Sequence, residues 1–213
     1  MPRFSSSTAE AGVVIPVRSF TRGKSRLAAS FGRDSLARSI LGYRSHEEFV
    51  RGLADRAVDA ATPRPTAIVS SAPEVVEWAT NRGLSVVADP GSLDRAATAG
   101  REWAAALGCV RVVVVHADLP DIVSLDSVAA DGGAAIMVIV PCHRGDGSPV
   151  LSLPVAATFE FSYGPGSFDR HCAEAKHAGL DVHVVHDDTM SFDVDGPDDL
   201  AIMRARRSLA PDR

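Results

Sequence analysis

Residues 110–120, VRVVVVHADLP, constrain this chain more than any other stretch. Val112 to Val115 are apolar in succession, with no outward polar alternation. A strand of that kind must be covered on both faces, as in a parallel sheet between helices. The run stops on Asp118, then Leu119 and a Pro120 that cannot continue a ladder. Open parallel sheets bind ligands outside the carboxyl ends of their strands. Asp118 therefore stands where a ligand or metal ion belongs, although a solvated turn or a helix cap would also use a carboxylate there.

Upstream, residues 12–17 read as the first strand, followed by Arg18-Ser-Phe-Thr-Arg-Gly-Lys-Ser-Arg26 and a helical stretch over 27–31. A strand, a basic glycine-containing loop and a helix make a phosphate site in α/β domains: amides and the helix start face the anion, and cations offset its charge. Arg18, Arg22, Lys24 and Arg26 supply those cations, and the Walker spacing is absent. Periodicity predicts helices over 35–41, 46–61, 75–81 and 94–107, with strands over 66–69 and 85–88. Phe49, Leu53, Ala57 and Ala60 form an apolar stripe at helical spacing, which is core packing. The succession predicts an α/β fold: a doubly wound, mostly parallel sheet with helices on both faces. Residues 1–11 read as a loose arm and 12–213 as one domain.

At 46% hydrophobic residues over 213 positions, the chain can fill one core. A net charge of -5 argues against a nucleic-acid partner, which needs a basic face. Cys109, Cys142 and Cys172 lack metal spacing and read as thiols of a reducing cytosol. There is no apolar run of about 18 residues for a membrane span, and residues 1–11 lack a signal-peptide core. A cytoplasmic location is the expectation.

Past Pro120, a short helix is predicted over 125–130, with strands over 135–140 and 149–153. The polar connection His143-Arg-Gly-Asp-Gly-Ser148 is longer than a tight hairpin needs. Gly164-Pro-Gly-Ser167 then precedes a helix over 168–178 and puts Ser167 near its N-cap. Free amides, the helix dipole and the hydroxyl there suit a phosphate or carboxylate. His171 lies on the same helix face four residues on, and Arg170 is adjacent. A strand over 182–185 follows. Asp193 and Asp195, two apart in an extended segment before a last helix over 198–207, face one way. If either meets Asp118, two carboxylates about 4 Å apart repel by roughly 4 kcal/mol at an effective dielectric near 20. A divalent cation removes that cost, and few carboxylates beside phosphate oxygens suit magnesium.

Five stretches together resemble one family: Lys24-Ser-Arg-Leu27, His116-Ala-Asp-Leu-Pro120, Gly147-Ser148-Pro-Val-Leu151, Tyr163-Gly-Pro-Gly-Ser-Phe-Asp-Arg-His171 and Asp193-Val-Asp-Gly-Pro-Asp-Asp-Leu200. The chain from about residue 12 to 207 resembles the guanylyltransferases of deazaflavin coenzyme biosynthesis. Members join GTP to 2-phospho-L-lactate, phosphoenolpyruvate or a similar phosphorylated acid such as 3-phospho-D-glycerate. The resemblance implies a nucleotidyltransferase-like Rossmann variant and magnesium held by Asp118 and Asp193, with Asp195 the alternative to the latter. It implies Lys24 and Asp118 as catalytic residues. Arg18, Lys24, Arg26 and Asp94 would bind nucleotide, and Ser148, Gly164, Ser167 and His171 the phosphorylated acid. A homodimer is suggested by the family alone.

Three positions depart from the family pattern. Ser148 replaces a threonine and keeps the hydroxyl, and Arg18 replaces a lysine. Asp94 replaces an asparagine, and a carboxylate only accepts where an amide also donates, so this position bears on base choice. Two other readings stay open at this point: a sugar-phosphate or molybdopterin nucleotidyltransferase, and a nucleotide-binding homologue with weakened catalysis.

Overall fold

Strand β4 (Arg111–Val115) is covered on both sides, as its apolar run requires. Val113 and Val115 enter one core, while Val112 and Val114 enter the other. The computed structural model describes residues 11–31, 42–130, 133 and 135–209. The helix predicted over 35–41 and nearly all of the predicted arm lie outside these residues. Ala11, counted with the arm, begins β1 (Ala11–Pro16).

The remaining strands are β2 (Thr66–Val69), β3 (Ser85–Val87), β5 (Ile136–Val140), β6 (Val150–Pro154) and β7 (Asp181–Val184). They form a sheet of order β3-β2-β1-β4-β6-β5-β7. Every pairing is parallel except those of β6, which runs antiparallel to both β4 and β5. The sequence reading of a mostly parallel sheet therefore holds, with one inserted reversed strand. That reversal matters for the site. It brings the start of β6, and Ser148 just before it, to the carboxyl end of β4, where His116 N–H donates to Pro149 O at 2.9 Å.

Helices α2 (His46–Ala61) and α3 (Pro73–Asn81) pack their apolar stripes on one face, with Phe49, Leu53, Ala57 and Val75 buried. Helices α4 (Leu93–Ala106) and α6 (Ser167–His177) cover the other, through Ala96, Ala97, Ala104 and Ala175. Each fully buried Val or Leu contributes about 1.5–3 kcal/mol. Gly100 lets α4 lie close on β1, because a Cβ there would stand 2.2 Å from Val14 Cγ1. The other described helices are α1 (Ser25–Ala28), which runs into a 3-10 turn at Ala29–Phe31, then α5 (Asp126–Ala129), α7 (Asp188–Ser191) and α8 (Pro197–Leu209). The strand order turns at β1 and β4: β2 and β3 lie on one side of β1, and β4 on the other. A topological switch point of this kind opens a crevice above the strand ends.

Candidate active site

That crevice is where the charged residues meet. The loop after β1 is shaped by Ser19, whose buried hydroxyl accepts from Thr21 N–H and Arg22 N–H at 3.2 Å and donates to Glu74 at 2.6 Å. The loop ends on Lys24, which has φ 52, the only positive φ of a non-glycine residue among those described. The left-handed conformation costs an ordinary residue roughly 1–2 kcal/mol, and such strain gathers at functional sites. Here it turns the ammonium inward, onto Asp118 and, at 2.5 Å, onto Asp195. Burial works against the Lys24 charge, but the two carboxylates outweigh it and hold the ammonium above its usual range.

Asp118 follows β4, and its backbone carbonyl accepts from Val194 N–H at 3.1 Å. Val194 is buried in the core, so Asp193 and Asp195 on either side of it turn toward Asp118. The alternation expected of these two carboxylates is what brings the third together with them. Burial disfavours the charge on Asp118, yet Lys24 and then His116 hold its carboxyl below the usual range. Asp193 shifts the other way, raised by burial and then by the charges of Asp118 and Asp195. One oxygen of Asp118, Oδ1, is buried and has no hydrogen-bond partner. Asp195 N–H and Gly196 N–H donate to Asp199, which also receives Arg144 at 2.5 Å and so fixes the turn before α8. His143 lies 3.1 Å from Asp193.

Two cavities adjoin at this cluster. One, about 490 Å³, lies under the basic loop and is lined by Arg18, Arg22, Lys24 and Arg26. The other, about 640 Å³, is lined by Arg144, Gly147, Ser148, Gly164, Ser167 and Asp193. Arg26, Leu93, His116, Asp118 and Asp195 belong to both walls. A third, about 260 Å³, opens beyond Arg18 and is lined by Asp89, Gly91 and Ser92.

In the second cavity, Ser148 and Ser167 are buried with their hydroxyl oxygens 3.0 Å apart. Gly164 and Gly166 have φ of 107 and 73, which glycine alone adopts freely. The N-cap of α6 is Gly166, with Ser167 inside the helix and making no side-chain cap bond. Ser167 thus lies next to the N-cap, as its place in the sequence implies, and its hydroxyl is turned to Ser148 rather than to the helix start. The amides expected to face a ligand are partly spent too, since Ser167 N–H donates to Gly164 O and Phe168 N–H to Asp146 O. Arg170, adjacent to His171, does not line this cavity: its guanidinium donates to the carbonyls of Ser162, Tyr163 and Pro165, clamping the loop.

Two predicted contacts sit elsewhere. His171 is 0% exposed, with both ring nitrogens hydrogen-bonded to protein, so it stands behind the cavity wall rather than on it. Asp94 lines none of the three cavities and accepts from Tyr163 N–H at 2.6 Å, tying the start of α4 to the loop before α6. Sequence reasoning passed over His116, Ser19, Arg144 and Asp199. His116 stood in plain view two residues before Asp118. The other three act through partners that no local spacing announces.

A profile of the guanylyl transferase CofC-like family matches residues 11–205. The chain is 32% identical over 190 residues to the phosphoenolpyruvate guanylyltransferase of Sphaerobacter thermophilus, covering 88% of this chain and 89% of that one. It is 33% identical over 198 residues to the enzyme of the same name from Rubrobacter xylanophilus, covering 90% and 92%. To the 2-phospho-L-lactate guanylyltransferase of Methanothermobacter thermautotrophicus it is 29% identical over 196 residues, covering 88% and 81%. Among solved structures, a proposed nucleotide-diphospho-sugar transferase from Desulfovibrio desulfuricans superposes with a TM-score of 0.73 at 15% identity, covering 95% of this chain and 89% of that one. A nucleotidyl transferase from a Methanothermobacter species gives 0.62 at 14%, covering 92% and 97%. Those two likenesses speak for the fold alone. The family match runs from the first residue of β1 into α8 and takes in both walls of the divided crevice: this chain is an enzyme of the CofC-like guanylyltransferase family.

Proposed function

We propose that the protein transfers GMP from GTP to the phosphate of a small phosphorylated acid, with release of pyrophosphate, as a cytoplasmic step of deazaflavin coenzyme biosynthesis. The acid is phosphoenolpyruvate, 2-phospho-L-lactate or 3-phospho-D-glycerate, the first two being named in the relatives. One observation carries this reading. A strongly basic cavity and a hydroxyl-lined cavity share Asp118 and Asp195 as their common wall. Two phosphorylated molecules, one in each, would meet with their phosphates at that wall.

The triphosphate takes the basic side, where Lys24, Arg18 and Arg26 offset its charge. The nucleobase extends into the third cavity, and the Asp89 carboxylate offers an acceptor matched to the N–H groups on the guanine edge. Asp94 plays no part in base reading on this account, being engaged with Tyr163. Ser148, Ser167 and the Gly164 turn hold the acid.

Asp118 and Asp193 fit a magnesium ion: Asp118 Oδ1 is buried with no hydrogen-bond partner, and the charges of Asp118 and Asp195 raise the Asp193 carboxyl despite Lys24, a repulsion that a further cation would relieve. Among the described residues no three His, Cys, Asp or Glu side chains enclose an ion by themselves, so an ion held by Asp118 and Asp193 would need water and phosphate oxygens to complete its shell. When bound, the ion neutralises phosphate oxygens and stabilises the leaving pyrophosphate.

An oxygen of the acid's phosphate attacks the α-phosphorus, and the bond from that phosphorus to the bridging oxygen of pyrophosphate breaks in line. The nucleophile is already anionic, so no general base is required. Positioning and charge neutralisation supply the rate. The test is a matrix of four nucleoside triphosphates against the three acids, following pyrophosphate and identifying products by mass spectrometry. Pyrophosphate from GTP with one of the acids is expected. Nucleotide binding with no turnover from any acid would overturn the reading.

A further inference from the structure

We propose that His171 is a positioning residue that sets the Ser148 and Ser167 hydroxyls as one-way hydrogen-bond donors toward the phosphorylated acid. The inference rests on the reading of the second cavity as the acid's site.

The polarity of the chain is fixed at its buried end. Ser162 N–H donates to His171 Nε2 at 2.9 Å. A backbone amide can only donate, so Nε2 carries a lone pair and the ring proton sits on Nδ1. Nδ1–H then donates to Ser148 Oγ at 2.8 Å. Ser148 Oγ and Ser167 Oγ lie 3.0 Å apart, and either can donate that bond. Because Nδ1–H already donates to Ser148, the pair spends one hydroxyl proton on itself and keeps the other for the cavity that both line.

A free serine hydroxyl donates or accepts with equal ease, and its rotor must be ordered when a ligand binds. Here the ordering is built in before the ligand arrives. Donors are what an anion needs, and bonds to an ionised acceptor are the strong ones. The imidazole is held in place by Tyr163, edge-on at 4.8 Å, and by Phe159 at 5.7 Å. Burial, followed by the charge of Arg170, pushes its pKa down to about 4, so the ring stays neutral and keeps its lone pair. A second proton on Nε2 would point at the Ser162 amide and break the chain.

The experiment compares His171→Phe, His171→Asn and His171→Gln, with GTP and phosphoenolpyruvate, or whichever acid the pyrophosphate matrix shows to react faster. Phenylalanine fills the ring's space and offers no donor. Asparagine returns a donor near the Nδ1 position, and glutamine returns only a group near Nε2. His171→Phe is expected to raise the KM for the acid about tenfold, the value of one hydrogen bond to a charged group, with kcat and the KM for GTP within about twofold. His171→Asn should recover most of the loss, and His171→Gln should not. In a Ser148→Ala background, His171→Phe should add nothing further.

Wild-type kinetics in His171→Phe, or equal losses in the Asn and Gln variants, would overturn the assignment. Should His171→Phe fail to fold, the ordering of the Asn and Gln variants decides alone. Ser167→Ala separates the two levels of the argument. An unchanged KM for the acid in that variant removes the acid site itself. A raised KM there, beside an unaffected His171→Phe, removes only the role of His171.

Discussion

Lys24 is the residue on which charge balance in the crevice turns. It is the single described cation placed between Asp118 and Asp195, and it holds a left-handed backbone to be there. Asp118→Asn is therefore informative. The amide keeps the shape of the carboxylate, and Lys24 keeps its bond to Asp195, so the melting temperature should stay within a few degrees of wild type. Turnover should fall by about a thousandfold or more, the scale on which preorganised charge at a phosphoryl centre acts. Wild-type rates from this variant, with magnesium and both substrates supplied, would refute its role. Asp118 was legible because an apolar run ended on it, and Asp193 and Asp195 because they sit two apart. That His171 and Asp94 turn to protein partners rather than into a cavity was not legible, for the opposite reason. Their partners lie on other elements, Asp94 69 positions from Tyr163, and nothing in the local pattern marks a polar group as facing inward.

Among the elements, the start of α6 is the most exacting. Gly164 and Gly166 both have positive φ, and Arg170 reaches back from the helix to hold the carbonyls of Tyr163 and Pro165 on either side of Gly164. At Gly166 an added Cβ would also stand 3.3 Å from Arg170 Nη1. Gly166→Ala is expected to destabilise by about 1–2 kcal/mol, the cost of the left-handed backbone for an ordinary residue. It should also raise the KM for the acid, because Ser167 follows directly. Urea unfolding and acid titration of one preparation would show both changes; stability loss with unaltered KM would mean that the turn does not set the Ser167 position. Most of the longer elements were legible within a residue or two, since their apolar stripes are long enough to register a period. The direction of β6 was not. A buried strand reads the same whichever way it runs, yet its reversal is what delivers Ser148 to Asp118. The four-residue helix at Asp188–Ser191 is too short for any periodicity, and its Asp187 cap is the only local sign of it.

At the scale of the whole molecule, the doubly wound topology was readable from the succession of elements, because parallel strands need crossovers and crossovers need helices. The polar network that the topology encloses was not, and it makes stability depend on pH in a definite direction. His171 is buried and neutral, with Arg170 on its own helix, Asp94 from α4 and His116 from the end of β4 as the charged or titratable groups facing it. Its pKa is about 4 in the folded protein against 6.5 in the unfolded chain. Between those values the unfolded chain binds the extra proton, so the stability that the neutral ring contributes is whole above 6.5, falls as pH drops through the window, and is gone below about 4. The shift corresponds to about 3 kcal/mol. Other groups titrate in the same range, so the measurement is a difference. Wild type and His171→Asn are unfolded in urea at pH 7 and pH 4.5, and the asparagine variant should lose about 2 kcal/mol less between the two, since the linkage is not yet complete at pH 4.5. Equal losses would mean that the imidazole takes up its proton without leaving the folded state, and that the hydroxyl chain it anchors tolerates a cation.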